Sequence, residues 1–296
     1  MTVGALLADS PLLLQASCLL LGLLVGSFLN VVAHRLPQML ERQWQREAAQ
    51  LQGQEPAALP RYDLIQPRSA CPACHTPIAA RHNIPVLGWL WLRGRCHQCR
   101  APISVRYPLV ELFTGLASAV VAWRFGYDMA TVLALLFTWA LIALSCIDLD
   151  THLLPDDITL PLLWLGLASA AWLPTALPGA LPVDLSSAVI GALVGYLSLW
   201  SVYHLFRLVT GKEGMGHGDF KLLAALGAWL GWQMLVPIIL VSAGVGAIVG
   251  IALILLRRQQ RDTPLPFGPF LAAAGWLMLL CGHELVDRYL ALYPSH

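Results

Sequence analysis

Long apolar blocks separated by short polar ones set the pattern of this chain. Eight apolar segments stand out, at roughly 12–33, 108–123, 129–147, 158–173, 185–206, 220–232, 234–256 and 267–286. Crossing the hydrocarbon core of a bilayer takes about 20 residues in a helix, and about 17 at the short end. The second, fourth and sixth segments are marginal by that measure, and the sixth is expected to be tilted, broken or partly re-entrant. Pro37, Pro108, Pro155, Pro174, Pro237 and Pro266 punctuate the boundaries. One long polar block, 34–107, separates the first two apolar segments. Its residues 38–54 have helical propensity and a polar surface, which predicts an amphipathic helix.

Composition turns this pattern into a class. Of 296 residues, 57% are hydrophobic and 12% charged, the latter about half the share usual in a soluble domain. Mean hydropathy is +0.66. So little polar surface cannot cover so much apolar surface in water, which predicts an all-α polytopic membrane protein of about eight transmembrane helices. Residues 1–10 carry no Lys or Arg, so the first apolar run reads as a retained helix and not a signal peptide. The net charge of +1 names no partner.

Charge along the chain predicts orientation. With the N-terminus outside, sixteen of the 18 Lys and Arg residues fall in inward-facing segments. Ten Arg lie in 34–107, and Arg124 and Arg288 are the two cations left outside. The positive-inside rule therefore puts the long loop in the cytoplasm and both termini outside. Small-xxx-small pairs at Gly22/Gly26, Gly191/Gly195, Gly227/Gly231 and Gly246/Gly250 read as helix-packing faces.

Four of the seven Cys form two CxxC pairs, Cys71/Cys74 and Cys96/Cys99, with 21 residues between them. Two such turns complete a tetrahedral thiolate site of the kind that holds zinc. Four sulfur ligands close the coordination shell, so the metal would be structural. The cytosol disfavours the alternative of disulfides. A metal clip would also hold a loop with few large apolar side chains. The Arg content of the loop follows from orientation alone, and Glu41, Glu47, Glu55 and Asp63 dilute it, so nucleic-acid binding is not expected.

Acids at the ends of apolar spans are costly and mark candidate sites. Asp148, in "IDLDTHLLPDD", closes the third span, and Asp219, in "GMGHGDFKLL", opens the sixth. The predicted topology puts both at the cytoplasmic boundary. Two neighbouring carboxylates cannot both ionise cheaply, so one can act as base while the other holds a proton. That arrangement can activate water. Gly216 and Gly218 would let a substrate strand approach closely. Asp156 and Asp157 fit a helix N-terminus. Glu111 reads equally as a buried network acid or a group snorkelling at the interface. Asn30 and His34 share a helix face and read as an interhelical polar contact.

The chain resembles the type IV prepilin peptidases. The matching elements are "GSFLNVVAHRLP" 26–37, the two Cys pairs, "YPLVEL" 107–112, "IDLDTHLLPD" 147–156 and "GMGHGDFKLL" 214–223, in the family's order. The resemblance implies a bifunctional bacterial inner-membrane enzyme. It would cut the basic leader from prepilins and pseudopilins at the cytoplasmic face, then methylate the new N-terminus with S-adenosylmethionine. It implies Asp148 and Asp219 as the catalytic pair, and Cys71, Cys74, Cys96 and Cys99 as zinc ligands. Gly94 falls where the family has a glycine linked to methylation, and Glu111 is the companion candidate for the donor site. No strand and glycine-rich turn announces a Rossmann-type donor site. Archaeal preflagellin peptidases lack the large zinc loop and are less similar. The expected organisation is a first helix at 1–34, a cytoplasmic four-cysteine zinc domain at 35–107 and a membrane protease core at 108–296. The alternatives are a zinc-stabilised membrane scaffold and an ion-coupled transporter.

Overall fold

A computed structural model describes residues 3–55, 60–172, 183–212, 214–256 and 265–291. Pro174, the Arg257, Arg258 and Arg261 cluster and the C-terminal end lie outside the described residues. Ten helices and two isolated bridges make up the regular structure of the described residues, apart from two single 3-10 turns. The chain divides into two compact units, 1–123 and 124–296.

The first unit begins with α1 (Val3–Asp9) and α2 (Pro11–Leu51). Helix α2 carries the first apolar span and the predicted amphipathic helix as one 41-residue rod. Pro37 therefore lies inside a helix and does not end one. Pro37 removes one backbone donor, but the helix continues through it to Leu51. Helix α3 (Leu87–Trp91) follows in the loop, and α4 (Arg106–Phe125) returns as the second apolar segment. Gly22 and Gly26 let α2 and α4 meet closely: a Cβ on Gly26 would sit 2.8 Å from Glu111 Cα, and one on Gly22 would collide with Ser118 Oγ. Asn30 Nδ2 donates to the Tyr107 carbonyl at 3.2 Å, the expected interhelical contact, whereas His34 pairs with Gln38 on its own helix. Arg35, 7% exposed, donates to the carbonyls of Asp63 and Pro67, so the loop is tied to the rod by a buried cation.

The second unit holds α5 (Met129–Thr151), α6 (Asp156–Trp172), α7 (Leu185–Thr210), α8 (His217–Leu230), α9 (Leu235–Leu255) and α10 (Gly268–Ala291). Its centre is α8, which packs on α7, α6 and α10. Eleven of the 14 residues of α8 are buried. A helix apolar on every side belongs inside a structure, and this explains why the sixth segment is too short to span alone: its walls are other helices. Gly191 of α7 and Gly227 of α8 meet backbone to backbone, each filling the space a Cβ would need. Trp229 Nε1 donates to the Leu162 carbonyl at 2.8 Å and fixes α8 against α6. By contrast α9, which carries no charged residue and is more apolar than α8, is mostly exposed, as a lipid-facing helix should be. A Cβ on its Gly246 would touch the Phe270 ring of α10 at 3.5 Å, whereas one on Gly250 would meet nothing within 4 Å, so only the first glycine of the Gly246/Gly250 pair faces a neighbour within the described residues.

Each of the eight apolar segments coincides with a helix. Among the described residues, five of these helices are long and apolar enough to cross a membrane by themselves.

Candidate active site and metal centre

The four cysteines converge. Their sulfur atoms all lie within 4.8 Å of one another. Cys71 Sγ is 3.7 Å from Cys99 Sγ, and Cys74 Sγ is 3.9 Å from Cys96 Sγ. Zinc–sulfur bonds of ~2.3 Å arranged tetrahedrally require sulfur separations of roughly 3.8 Å. The cluster could therefore hold a metal ion.

Two copies of one turn build this centre. Residues 69–78, "SACPACHTPI", and 94–103, "GRCHQCRAPI", align at an offset of 25. In the first, Cys71 N donates to Thr76 O, His75 N to Cys71 O and Ile78 N to Ser69 O. In the second, Cys96 N donates to Ala101 O, Arg100 N to Cys96 O and Ile103 N to Gly94 O. His75 and Arg100 both take positive φ, at 56° and 61°. The bridges Ala70–Pro77 and Arg95–Pro102 close the two turns. Hydrogen bonding to the Thr76 hydroxyl, then to its amide, holds the Cys74 thiol down to about 6. The amides of Cys99 and Gln98 hold Cys96 below its usual range. Both effects favour thiolates at Cys74 and Cys96, whereas at Cys99 the Ala101 amide is outweighed by burial and the neighbouring thiols, which push it up to about 11.

Gly94 and Glu111 occupy this unit too. Gly94 has φ +66° and faces the Trp89 ring, 2.7 Å from where a Cβ would sit. Glu111 is buried, the first of the two readings open in the sequence. Its Oε2 accepts from Val86 N at 2.7 Å. Val86 has φ 60° and ψ −51°, and the Leu87 amide reaches back to Pro85 O at 2.6 Å. A β-branched residue in that conformation is strained, and the buried carboxylate caps the strained amide. The hydrogen bond at Glu111 Oε2 thus comes from a backbone amide.

In the second unit the two boundary acids come to one end of the bundle. Asp148 lies in the last turn of α5, and Asp219 in the first turn of α8. They are 5% and 7% exposed, and their carboxylates lie within electrostatic reach of each other. His152, at φ 53°, ends α5 with its amide on the Asp148 carbonyl. The chain then turns through Leu154, which is buried. A Cβ on Gly218 would lie 2.7 Å from Leu154 Cβ, and one on Gly268 would lie 3.2 Å from Leu154 Cδ1. Leu154 is thus wedged between the neighbour of Asp219 and the start of α10. Gly268 N donates to Asp148 Oδ2 at 2.9 Å. Lys221 Nζ sits 2.7 Å from both carboxylate oxygens of Asp156, which accounts for both residues and ties α8 to α6.

Gly268 and Leu154 were not among the residues singled out from the sequence. A signal existed for Gly268: "PFGPF" 266–270 places Gly-Pro at the opening of an apolar helix. Nothing in the local pattern marked Leu154.

These features define a polytopic helical membrane protein with a cysteine clip in one unit and a buried pair of acids in the other. The chain belongs to the type IV leader peptidase family. The model of the bacterial peptidase A24 N-terminal domain matches residues 20–125, and that of the type IV leader peptidase family matches 135–251. The chain is 56% identical over 282 residues to the prepilin leader peptidase/N-methyltransferase of Aeromonas hydrophila, covering 95% of each. It is 53% identical over 285 residues to the protein of that name in Pseudomonas aeruginosa, covering 96% of each. No solved structure matches the chain.

Proposed function

We propose that this protein is a membrane aspartic endopeptidase. It removes the leader of type IV prepilins and pseudopilins at the cytoplasmic face of the inner membrane and methylates the amine it exposes. The observation that carries the reading is the convergence of two buried carboxylates, Asp148 and Asp219, at one end of the second unit.

One carboxylate takes a proton from water while the oxygen of that water bonds to the scissile carbonyl carbon. The other, protonated, gives its proton to the carbonyl oxygen, and a gem-diol forms. Return of a proton to the amide nitrogen breaks the C–N bond, leaving an acid on the leader and an amine on the mature chain. Gly216 leaves space beside Asp219, since a Cβ there would meet nothing closer than Asp219 Oδ2 at 3.7 Å, whereas Gly218 makes room for the Leu154 side chain and not for substrate. Placement of both acids at one end, and not along a path through the bundle, favours peptide cleavage over ion-coupled transport. A scaffold would leave the buried pair without a role.

Cys71, Cys74, Cys96 and Cys99 would hold zinc, which when bound would supply a cross-link between the two repeated turns. S-adenosylmethionine supplies an electrophilic methyl group on a cationic sulfonium. A buried carboxylate bonded by an amide, as at Glu111, suits a cationic ligand, and the strained Val86 turn and Gly94 lie in the same unit. Glu111 and Gly94 are therefore our assignment for the methyl-transfer half. The sixteen inward-facing cations support a cytoplasmic cysteine loop and active end.

The deciding experiment incubates the purified protein with a prepilin and S-adenosylmethionine and weighs the products. Loss of the leader with addition of one methyl group is expected. Full cleavage by both Asp148→Asn and Asp219→Asn would remove the acid pair from the mechanism.

A further inference from the structure

The first turn of α10 has an unusual allocation of backbone donors. A helix begins with amides that have no partner within it. Here Phe270 N and Leu271 N both reach Phe267 O, at 3.1 and 3.2 Å. Pro269 has no amide hydrogen. Gly268 N is the donor left, and it goes to Asp148 Oδ2 across 120 residues of sequence. The position has no room for a side chain, since a Cβ there would lie 2.6 Å from that same oxygen. The contact is buried, where an amide without its acceptor is expensive. Leu154 meets both Gly268 and Gly218, so the segments bearing the two acids share one apolar spacer.

We propose that the Gly268 amide is a positioning element of the acid pair. It fixes one oxygen of Asp148 and leaves the other for water, while Leu154 sets the spacing between the Asp148 and Asp219 segments. Gly268 touches no reacting atom and acts through Asp148. The inference rests on Asp148 and Asp219 being the catalytic pair. It goes beyond that reading by adding a third chain segment that the cleavage step requires.

Two variants test it. Gly268→Ala adds the Cβ that displaces Oδ2. Replacement of Gly268 by glycolic acid turns the amide into an ester, removing the N–H and adding no side chain. Both are assayed for prepilin cleavage and for methylation of an already mature pilin, beside Gly250→Ala as a control in open space. Misplacing a catalytic group by about 1 Å can cost about a hundredfold. We expect Gly268→Ala to lower kcat by about that factor, with KM within about twofold and methylation retained. The ester should lower kcat in the same direction by a smaller factor, and Gly250→Ala should match the parent.

If Gly268→Ala abolishes methylation as well, the ester alone decides. An ester that cleaves at the parent rate overturns the proposal. So does a rise in KM with unchanged kcat in Gly268→Ala, which would place Gly268 in substrate binding. Asp148→Asn and Asp219→Asn, run in parallel, separate the two readings. Active Asn variants defeat the acid pair itself. Inactive Asn variants beside a fully active ester defeat only the positioning role.

Discussion

The cysteine clip and the acid pair are both small polar centres in a greasy chain, but they are assembled in opposite ways. The clip draws four ligands from 29 consecutive residues, Cys71 to Cys99, and builds them from one turn used twice. Its geometry is local, and its surroundings have little apolar core. The acid pair draws on α5, α8 and α10, and Asp148 and Gly268 stand 120 residues apart. Its geometry is imposed by helices that pack for their own reasons. Breaking the clip should therefore cost structure first and chemistry second, whereas breaking the pair should cost chemistry with little loss of structure.

The largest expected effect tests the second half of that contrast. Asp148→Asn keeps an oxygen to accept from Gly268 N and a nearly identical volume, but it loses the acid. Removal of one member of a catalytic set commonly costs about a thousandfold or more in kcat. We expect prepilin cleavage to fall by at least that factor for Asp148→Asn and Asp219→Asn, with methylation of a mature pilin retained. Loss of methylation together with cleavage would show that the two activities share one centre and would dissolve the contrast.

Cys96→Ser tests the first half. Structural zinc contributes about 10–16 kcal/mol of apparent binding energy in small domains. Losing one thiolate should release the metal and unfold residues 71–99, while the second unit keeps its helices. Limited proteolysis would then cut the loop first, and cleavage activity would fall by less than in the Asn variants. A loop that stays protected after chelation would mean that its turns hold without metal.

The same contrast explains what was legible in the sequence. The Cys pairs could be read directly because ligand spacing is a local property. The duplication of their turns was also there to read, at an offset of 25 residues. All eight apolar segments were visible because burial and lipid both demand apolar residues. For that reason hydropathy ran against burial: α9, the more apolar, faces outward, while α8, which carries Asp219 and Lys221, is the packed core helix. Asp148 and Asp219 were visible as acids out of place. Gly268 and Leu154 were not, because their importance lies in what lies opposite them. Pro37 misled because a proline marks a probable helix boundary, and α2 runs through it.

A smaller effect probes how firmly helices position the acids. Gly227→Ala inserts a methyl group where α8 touches Gly191 of α7. Overpacking of this kind costs about 1–3 kcal/mol, and here the obstacle is backbone. Thermal unfolding should move down, and cleavage should fall through displacement of α8 with no change in zinc content. Lys221→Met removes a half-exposed ion pair with Asp156, expected to be worth about 0.2–1 kcal/mol. If it lowers cleavage more than Gly227→Ala does, Lys221 has a part in the chemistry beyond tying α8 to α6.

The smallest effect belongs to the loop, at a turn outside the cysteine centre. The Asp63 carboxylate accepts from Gln66 N at 2.6 Å and Ile65 N at 2.8 Å, and pairs with Arg61. The Gln66 amide, then the Ile65 amide and Arg61, hold its pKa below the ordinary carboxylate value. A group whose folded pKa is depressed lends stability that is fully present above its unfolded pKa, about 3.9. That stability is lost as pH falls through the lower folded value. The turn at 61–66 should therefore be unaffected by pH from neutrality down to about 4 and loosen only below it. Hydrogen exchange at Ile65 and Gln66, corrected for intrinsic rates, reads this directly, and Asp63→Asn should lack the acid-dependent step. Because Arg35 binds the Asp63 and Pro67 carbonyls, loosening there should also free the loop from α2. A turn that opens only when the zinc is lost would instead make the clip the sole determinant of the loop, and the two halves of unit 1 would unfold as one.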